Sequence, residues 1–217
     1  MRAVRDAGVD APATLGRDDE GRAVVEFVPG QLALDADALT HNELRRVGAL
    51  VRSIHDASEG FVPSPEARWI TAIPTPGDDL VCHNDLAPWN LLIGERWVFI
   101  DWDAATPSTR LWDLAYAAQA FTLSNPDRAP DEAAADLAAF VDGYGADAEV
   151  RRALPATMAE RTDAMLHLLV SSNDTGLEPW STMYRDGHGE HWRAAAAYVR
   201  AHQEVWTAWL NGSLSSD

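Results

Sequence analysis

Between residues 83 and 103 the chain sets two polar clusters at the two ends of a tight strand–turn–strand unit. His83-Asn84-Asp85-Leu86-Ala87-Pro88-Trp89-Asn90 leads into the apolar run Leu91-Leu92-Ile93, and Trp97-Val98-Phe99-Ile100 runs back to Asp101-Trp102-Asp103. Gly94-Glu95-Arg96 between the runs is a hairpin turn signal. A hairpin here returns Asp101 to the loop that carries Asp85 and Asn90. In that arrangement one carboxylate orients a hydroxyl nucleophile, while an amide oxygen and a second carboxylate hold magnesium. Phosphoryl transfer needs that division of labour. Asp85 is therefore the expected base, and Asn90 and Asp101 the expected metal ligands.

The 217 residues allow one large domain or two small lobes. Hydrophobic residues make up 47% and are spread along the chain, which excludes disorder of the whole. The net charge of -17, from 34 acidic and 17 basic residues, sets a field that repels nucleic acid and attracts a cationic small molecule. A charged, soluble surface without steering is the plainer reading of the same number. Cys82 is the sole cysteine, so no disulfide forms within the chain and a reducing cytoplasm fits. Met1 to Val9 lacks the apolar core of a signal peptide, and no apolar run approaches the roughly 18 residues of a membrane span. The expectation is a soluble cytoplasmic protein that contacts neither membrane nor nucleic acid.

Residues 13–28 read as a small β-hairpin. Ala23 to Val28 is its second strand, stopped by Pro29-Gly30. Thr40 and Glu43 have capping-box spacing, Leu39 and Leu44 staple spacing, and Leu44, Val47, Val51, Ile54 and His55 recur at helical intervals. A helix is expected over about 41–57. Residues 58–77, rich in Pro and Gly, read as loops with room for a short helix from Glu66 to Ile70. Beyond about residue 110 the pattern is helical. Segments are expected over Leu111 to Phe121, Asp131 to Tyr144 closed by Gly143 and Gly145, Asp147 to Ser172 with a kink or restart at Pro155, and about Glu190 to Leu210. The last carries His191, Ala194, Ala195, Tyr198, Val205 and Trp209 along its expected stripe. Asn211 to Asp217 reads as a frayed tail.

These motifs resemble the aminoglycoside phosphotransferase family, a branch of the protein-kinase-like fold that includes choline-kinase-like enzymes. The family's catalytic loop reads His-Gly-Asp, four residues, then Asn; here it is His83-Asn84-Asp85 and then Asn90. Its metal aspartate follows an apolar strand, as Asp101 follows Ile100, and its bracing aspartate stands in an Asp-Leu-Ala context, as in Asp113-Leu114-Ala115. The resemblance implies an α+β fold with a mostly helical C-terminal lobe over 31–217, a catalytic-loop hairpin, and a reduced N-terminal lobe of about two strands over 1–30. It implies ATP or another nucleoside triphosphate together with Mg2+, Asp85 as base, and Asn90 and Asp101 on the metal. His83 and Asp113 become structural supports. The strand end from Glu26 to Val28 becomes the inter-lobe linker whose backbone receives the adenine.

Two departures matter. Asn84 stands where the family has glycine, and asparagine tolerates left-handed backbone angles better than most residues. The glycine-containing hairpin and strand lysine that cover the phosphates in the family have no counterpart before Gly30, where there is no lysine. A reduced lobe implies weak nucleotide affinity and an exposed strand edge, through which a second copy or another protein would pair.

Other residues carry plainer readings. His55 packs on its helix stripe, Cys82 is an inert core thiol, and His188 with His191 makes a poor metal site. Trp89 lines a substrate cleft. Asp103 faces a cationic substrate or second metal, or else bonds its local turn or Arg110. Trp180, Tyr184, Glu190 and Trp192 are placed on the far wall by helix order. The leading expectation is an ATP- and Mg-dependent phosphotransferase acting on a hydroxyl of a small polar, cationic, aminoglycoside-like molecule, with antibiotic resistance as its context. The rivals are a catalytically impaired binding or immunity protein and one part of a composite enzyme.

Overall fold

The computed structural model describes residues 1–212. Of the expected frayed tail from Asn211 to Asp217, residues 213–217 lie outside the described residues, while Asn211 and Gly212 form a turn in which their amides donate to the Thr207 and Trp209 carbonyls. Ahead of residue 31 lie the short helix α1 (Arg2–Asp6) and an antiparallel hairpin of β1 (Thr14–Arg17) and β2 (Ala23–Val25). The second strand is shorter than expected. Its ladder continues only as far as the Glu26 amide, which donates to the Ala13 carbonyl at 2.8 Å. Every residue of both strands is exposed.

The C-terminal part is a helical body with two small sheets. β5 (Leu91–Ile93) and β6 (Trp97–Phe99) form the hairpin expected around Gly94-Glu95-Arg96. Two features escaped sequence reading. β3 (Gln31–Leu32) adds to the free edge of β5, and β4 (Leu80–Cys82) pairs with β7 (Thr106–Ser108), register Val81 to Pro107. Pro107 hides the second because proline argues against a strand, yet on a two-stranded ribbon it is tolerated at an edge. Residues 59–79 form no helix; a turn at Pro65 and Glu66 leads into irregular chain where the short helix from Glu66 to Ile70 was expected.

α2 (His41–Ser58) starts as its capping box requires. Thr40 accepts the Glu43 amide at 3.3 Å and the Glu43 carboxylate accepts the Thr40 amide at 2.8 Å. α2 crosses α4 (Pro130–Tyr144) at backbone contact. A Cβ on Gly143 would lie 2.0 Å from the Arg45 carbonyl oxygen, and one on Gly48 would lie 2.1 Å from that of Phe140. Gly143 therefore belongs to the helix interior. Gly145 alone, in the left-handed region at φ 72°, closes it.

α3 (Arg110–Thr122) is buried along most of its length and packs on α5 (Ala148–Thr175). α5 runs unbroken through Pro155 and is capped by Asp147, which accepts two amides. A short α6 (Trp180–Met183) and a π-turn over Tyr184–His188 lead into α7 (Gly189–Ala201). The expected final helix is broken at His202, after which α8 (Gln203–Leu210) begins. The break buries Trp206, whose indole donates to the Val199 carbonyl at 2.9 Å. The buried stripe accordingly runs through Trp192, Ala195, Tyr198, Val199, Trp206 and Leu210, shifted from the expected one. No helix among the described residues is long and apolar enough to cross a membrane.

Candidate active site

The catalytic loop follows β4, and its first turn is held by one buried carboxylate. Asp113, in the first turn of α3, accepts the backbone amides of His83 at 3.2 Å and Asn84 at 2.9 Å. Its Oδ2 also meets His55 Nε2 at 3.1 Å, and His55 Nδ1 meets the Tyr144 hydroxyl at 2.9 Å. His55 is thus fully buried as expected, but as a member of a polar chain rather than an apolar packing residue. Asn84 takes φ 64°, the left-handed conformation its position demands. Its Nδ2 lies 3.2–3.4 Å from the carbonyls of Cys82, Ala104 and Thr106, which ties this loop to the one after Asp101.

His83 is buried against Phe99 and Trp102. Its Nδ1 accepts the Asp85 amide at 3.3 Å, so Nε2 carries the hydrogen that meets the Ile100 carbonyl at 3.1 Å. Burial lowers its pKa, against the pull of Asp113 and Asp85, and keeps the ring neutral. The histidine thus bolts the catalytic loop to the residue before Asp101.

Asp85 is the centre of the site. Asn90 Nδ2 donates to its Oδ2 at 2.7 Å and to its backbone carbonyl at 2.9 Å. The Trp89 indole lies 3.5 Å from the same oxygen. On the other side the Tyr116 hydroxyl donates to Oδ1 at 2.9 Å. Burial and the neighbouring Asp85 charge raise the Tyr116 pKa well above the usual phenol value, so the donor keeps its proton. Oδ1, with the Tyr116 hydroxyl as its one donor here, retains a lone pair for a further donor.

Asp101 is brought here by strand pairing. The Ile100 amide donates to the Asn90 carbonyl at 2.9 Å, and Asp101 follows at φ 58°, again left-handed. A non-glycine residue in that region is a strained feature that clusters at functional sites. Asn90 has committed its nitrogen to Asp85, which leaves its side-chain oxygen without a hydrogen bond among the described residues. The Asp101 carboxylate likewise accepts none among them. Two uncommitted hard oxygens beside one hairpin end suit magnesium, which takes few protein ligands and keeps waters.

Asp85 and Asp101 open into a cavity of about 940 Å³, which Asn90 itself does not line. Trp89, Asp103, Trp180 and Trp192 do line it; Tyr184 and Glu190 do not. Arg110 pairs with Asp56 at 2.8 Å and Glu59 at 3.3 Å, so it is not the partner of Asp103. Glu26 and Val28 do not line this cavity. The Glu26 carboxylate accepts the Ala13 amide at 2.9 Å and Arg96 at 2.6 Å, and the Val28 side chain is buried. Buried His55, Cys82 and Asp113 bring ligand atoms within 4.8 Å of one another. Asp113 is engaged by two amides and His55, and burial pushes the Cys82 thiol up and holds it protonated, so this cluster braces the loop.

Sequence reasoning missed two residues. Tyr116 stands three positions after Asp113, on the same helix face, a spacing that places it beside the loop Asp113 holds. Arg161 is buried on α5 in the apolar stripe of Leu154, Met158 and Leu169; a charge in such a stripe is the signal that was there to read. Its guanidinium lies 4.1 Å from the Tyr116 ring centre, and its Nη2 donates to the Asn84 carbonyl at 3.3 Å. Burial lowers its pKa, while Tyr116, Asp113 and Asp85 pull the other way.

Residues 64–156 match the model of the phosphotransferase enzyme family, APH. That stretch contains Asp85, Asn90, Asp101 and Asp113, so the resemblance read from the motifs is borne out. No curated protein matches the chain in sequence. Among solved structures, the amicoumacin kinase hAmiN in complex with AMP-PNP, Ca2+ and Ami superposes with a TM-score of 0.66 at 13% identity, covering 92% of this chain and 75% of that one. The microcompartment-associated aminopropanol kinase gives 0.60 at 15%, covering 98% and 79%. A choline/ethanolamine kinase family protein from Mesorhizobium loti gives 0.54 at 19%, covering 92% and 82%. The fold is protein-kinase-like, a mixed helix-and-strand architecture with a mostly helical C-terminal lobe.

Proposed function

We propose that the protein transfers the terminal phosphoryl group of ATP, or another nucleoside triphosphate, to a hydroxyl of a small amine-bearing molecule. The reading is carried by one observation: Asp85, held by Asn90 and Tyr116, lines a cavity of about 940 Å³ together with Asp101. In it, Asp85 orients the acceptor hydroxyl and takes its proton as the oxygen attacks. Asn90 and Asp101 offer their free oxygens to magnesium, which when bound supplies charge for the phosphate oxygens. The backbone of the linker from Glu26 to Val28 receives the base. Asp103 adds a carboxylate at the acceptor side, in keeping with a cationic acceptor, an aminoglycoside or another amino alcohol. The likeness to an amicoumacin kinase, an aminopropanol kinase and a choline/ethanolamine kinase family protein supports the same class.

The test is phosphate transfer from labelled ATP to a panel of amino alcohols, with and without magnesium. Transfer should require magnesium and fall by about 10²–10⁴ in Asp85→Ala. Activity that survives that substitution, or ligand binding indifferent to it and to magnesium, would favour the binding-protein reading instead. A second reading, in which another protein or a second copy covers the N-terminal hairpin, is favoured by the exposure there of Leu15 and Phe27. It expects a mass above that of one chain in light scattering.

A further inference from the structure

The cavity beside Asp85 has walls of an unexpected kind for a polar acceptor. Four indoles line it, those of Trp89, Trp112, Trp180 and Trp192, together with the thioethers of Met165 and Met183. The apolar wall begins at the base itself. The Trp89 indole touches Asp85, and Trp192 stacks on Tyr116 with ring centres 6.0 Å apart and planes 8° from parallel. It continues to α6, which supplies Trp180 and Met183. The volume of about 940 Å³ is at the upper end of what a drug-sized ligand fills.

A sugar bearing many hydroxyls and ammonium groups must exchange each water it loses for a protein partner, and an unpaired polar group is costly in such a setting. Indoles and thioethers offer few acceptors. They do reward apolar surface, and methionines adapt to its shape. The carboxylates of Asp103 and Asp186, which also line the cavity, provide for one amine. Indole faces also attract an ammonium.

We propose that the acceptor is an amphipathic amino alcohol: a hydroxyl at Asp85, one amine near the wall carboxylates, and a sizeable aliphatic or aromatic body against the tryptophan and methionine side chains. The proposal rests on the reading of Asp85 as the residue that faces the acceptor, and it names a class distinct from polyhydroxylated aminosugars.

The experiment is a binding series of N-alkylethanolamines, from N-methyl to N-octyl, read by tryptophan fluorescence and by calorimetry, with kanamycin as the polar comparison. Each methylene buried against the wall should lower Kd about threefold to fourfold, and kanamycin should bind more weakly than the octyl compound. In Trp180→Ala, with its fold checked by circular dichroism, the octyl compound should lose about tenfold while the methyl compound changes little. A flat series, kanamycin binding as tightly as the octyl compound, or a Trp180→Ala variant that keeps the full octyl gain would each overturn the proposal. Phosphate transfer to the same compounds is measured separately. A steep binding series without transfer sinks the phosphotransferase reading and leaves the acceptor class standing; transfer with a flat series does the reverse.

Discussion

Tyr116 shows what one side chain contributes to this site. It holds Asp85 from the side opposite Asn90, so the carboxylate is fixed in rotation before any acceptor arrives. Tyr116→Phe removes a bond to a charged group, worth about 1.5–3 kcal/mol, and should lower kcat roughly tenfold to hundredfold with little change in the acceptor KM. Steady-state kinetics decides it, and an unchanged kcat would reduce Tyr116 to a packing residue. His83 makes a second prediction. Its folded-state pKa is depressed by burial, so above the unfolded value of about 6.5 it is neutral in both states. As pH falls below that value the unfolded chain gains a proton that the folded one refuses. Stability should therefore fall from about pH 6.5 downward, at up to about 1.4 kcal/mol per pH unit, until the folded pKa is passed. Urea midpoints between pH 8 and 5 measure this, and His83→Gln should flatten that part of the curve.

At the scale of elements, the crossing of α2 and α4 fixes the base of the helical lobe. Gly48 and Gly143 face the partner helix's backbone at distances no Cβ tolerates. Intrinsic propensity favours Gly143→Ala by about 1 kcal/mol, but overpacking outweighs it, and the variant should be destabilised by about 3 kcal/mol. Chemical denaturation would show it; a stabilised variant would mean the helices separate at little cost. The hairpin of β5 and β6 works in the opposite sense, by precision rather than proximity. Its register sets Asn90 across from Ile100, and a slip of one residue would turn the strand's side chains to the other face and carry Asp101 away from Asp85.

Across the whole molecule, the site joins groups from the catalytic loop, the loop after β6, α3 and α5, so ligand binding should report on global stability. Magnesium with ATP at a hundredfold over Kd should add about 2.7 kcal/mol, a rise in Tm of roughly 5–10 °C for a chain of this size. Asp101→Asn should remove the magnesium-dependent part. Differential scanning fluorimetry gives the comparison directly, and the absence of any shift with both ligands would count against a working nucleotide site.

The sequence by itself determined the local pieces. The Thr40 and Glu43 pair fixed where α2 starts, the turn at Gly94 fixed the hairpin, and the order of Asp85, Asn90, Asp101 and Asp113 was legible because strand pairing and helix caps act over a few residues. What depends on distant segments was not. The β4–β7 pairing joins residues far apart through a proline-containing strand, the break at His202 follows from burying Trp206, and Gly143 looked like a stop because its neighbour on α2 is absent from any local window. Tyr116 and Arg161 acquired their places against Asp85 and Asn84 only when α3 and α5 packed together. Short-range geometry is written in neighbouring residues; the cavity is a surplus left where helices from separate parts of the chain meet, and only their packing decides its shape and lining.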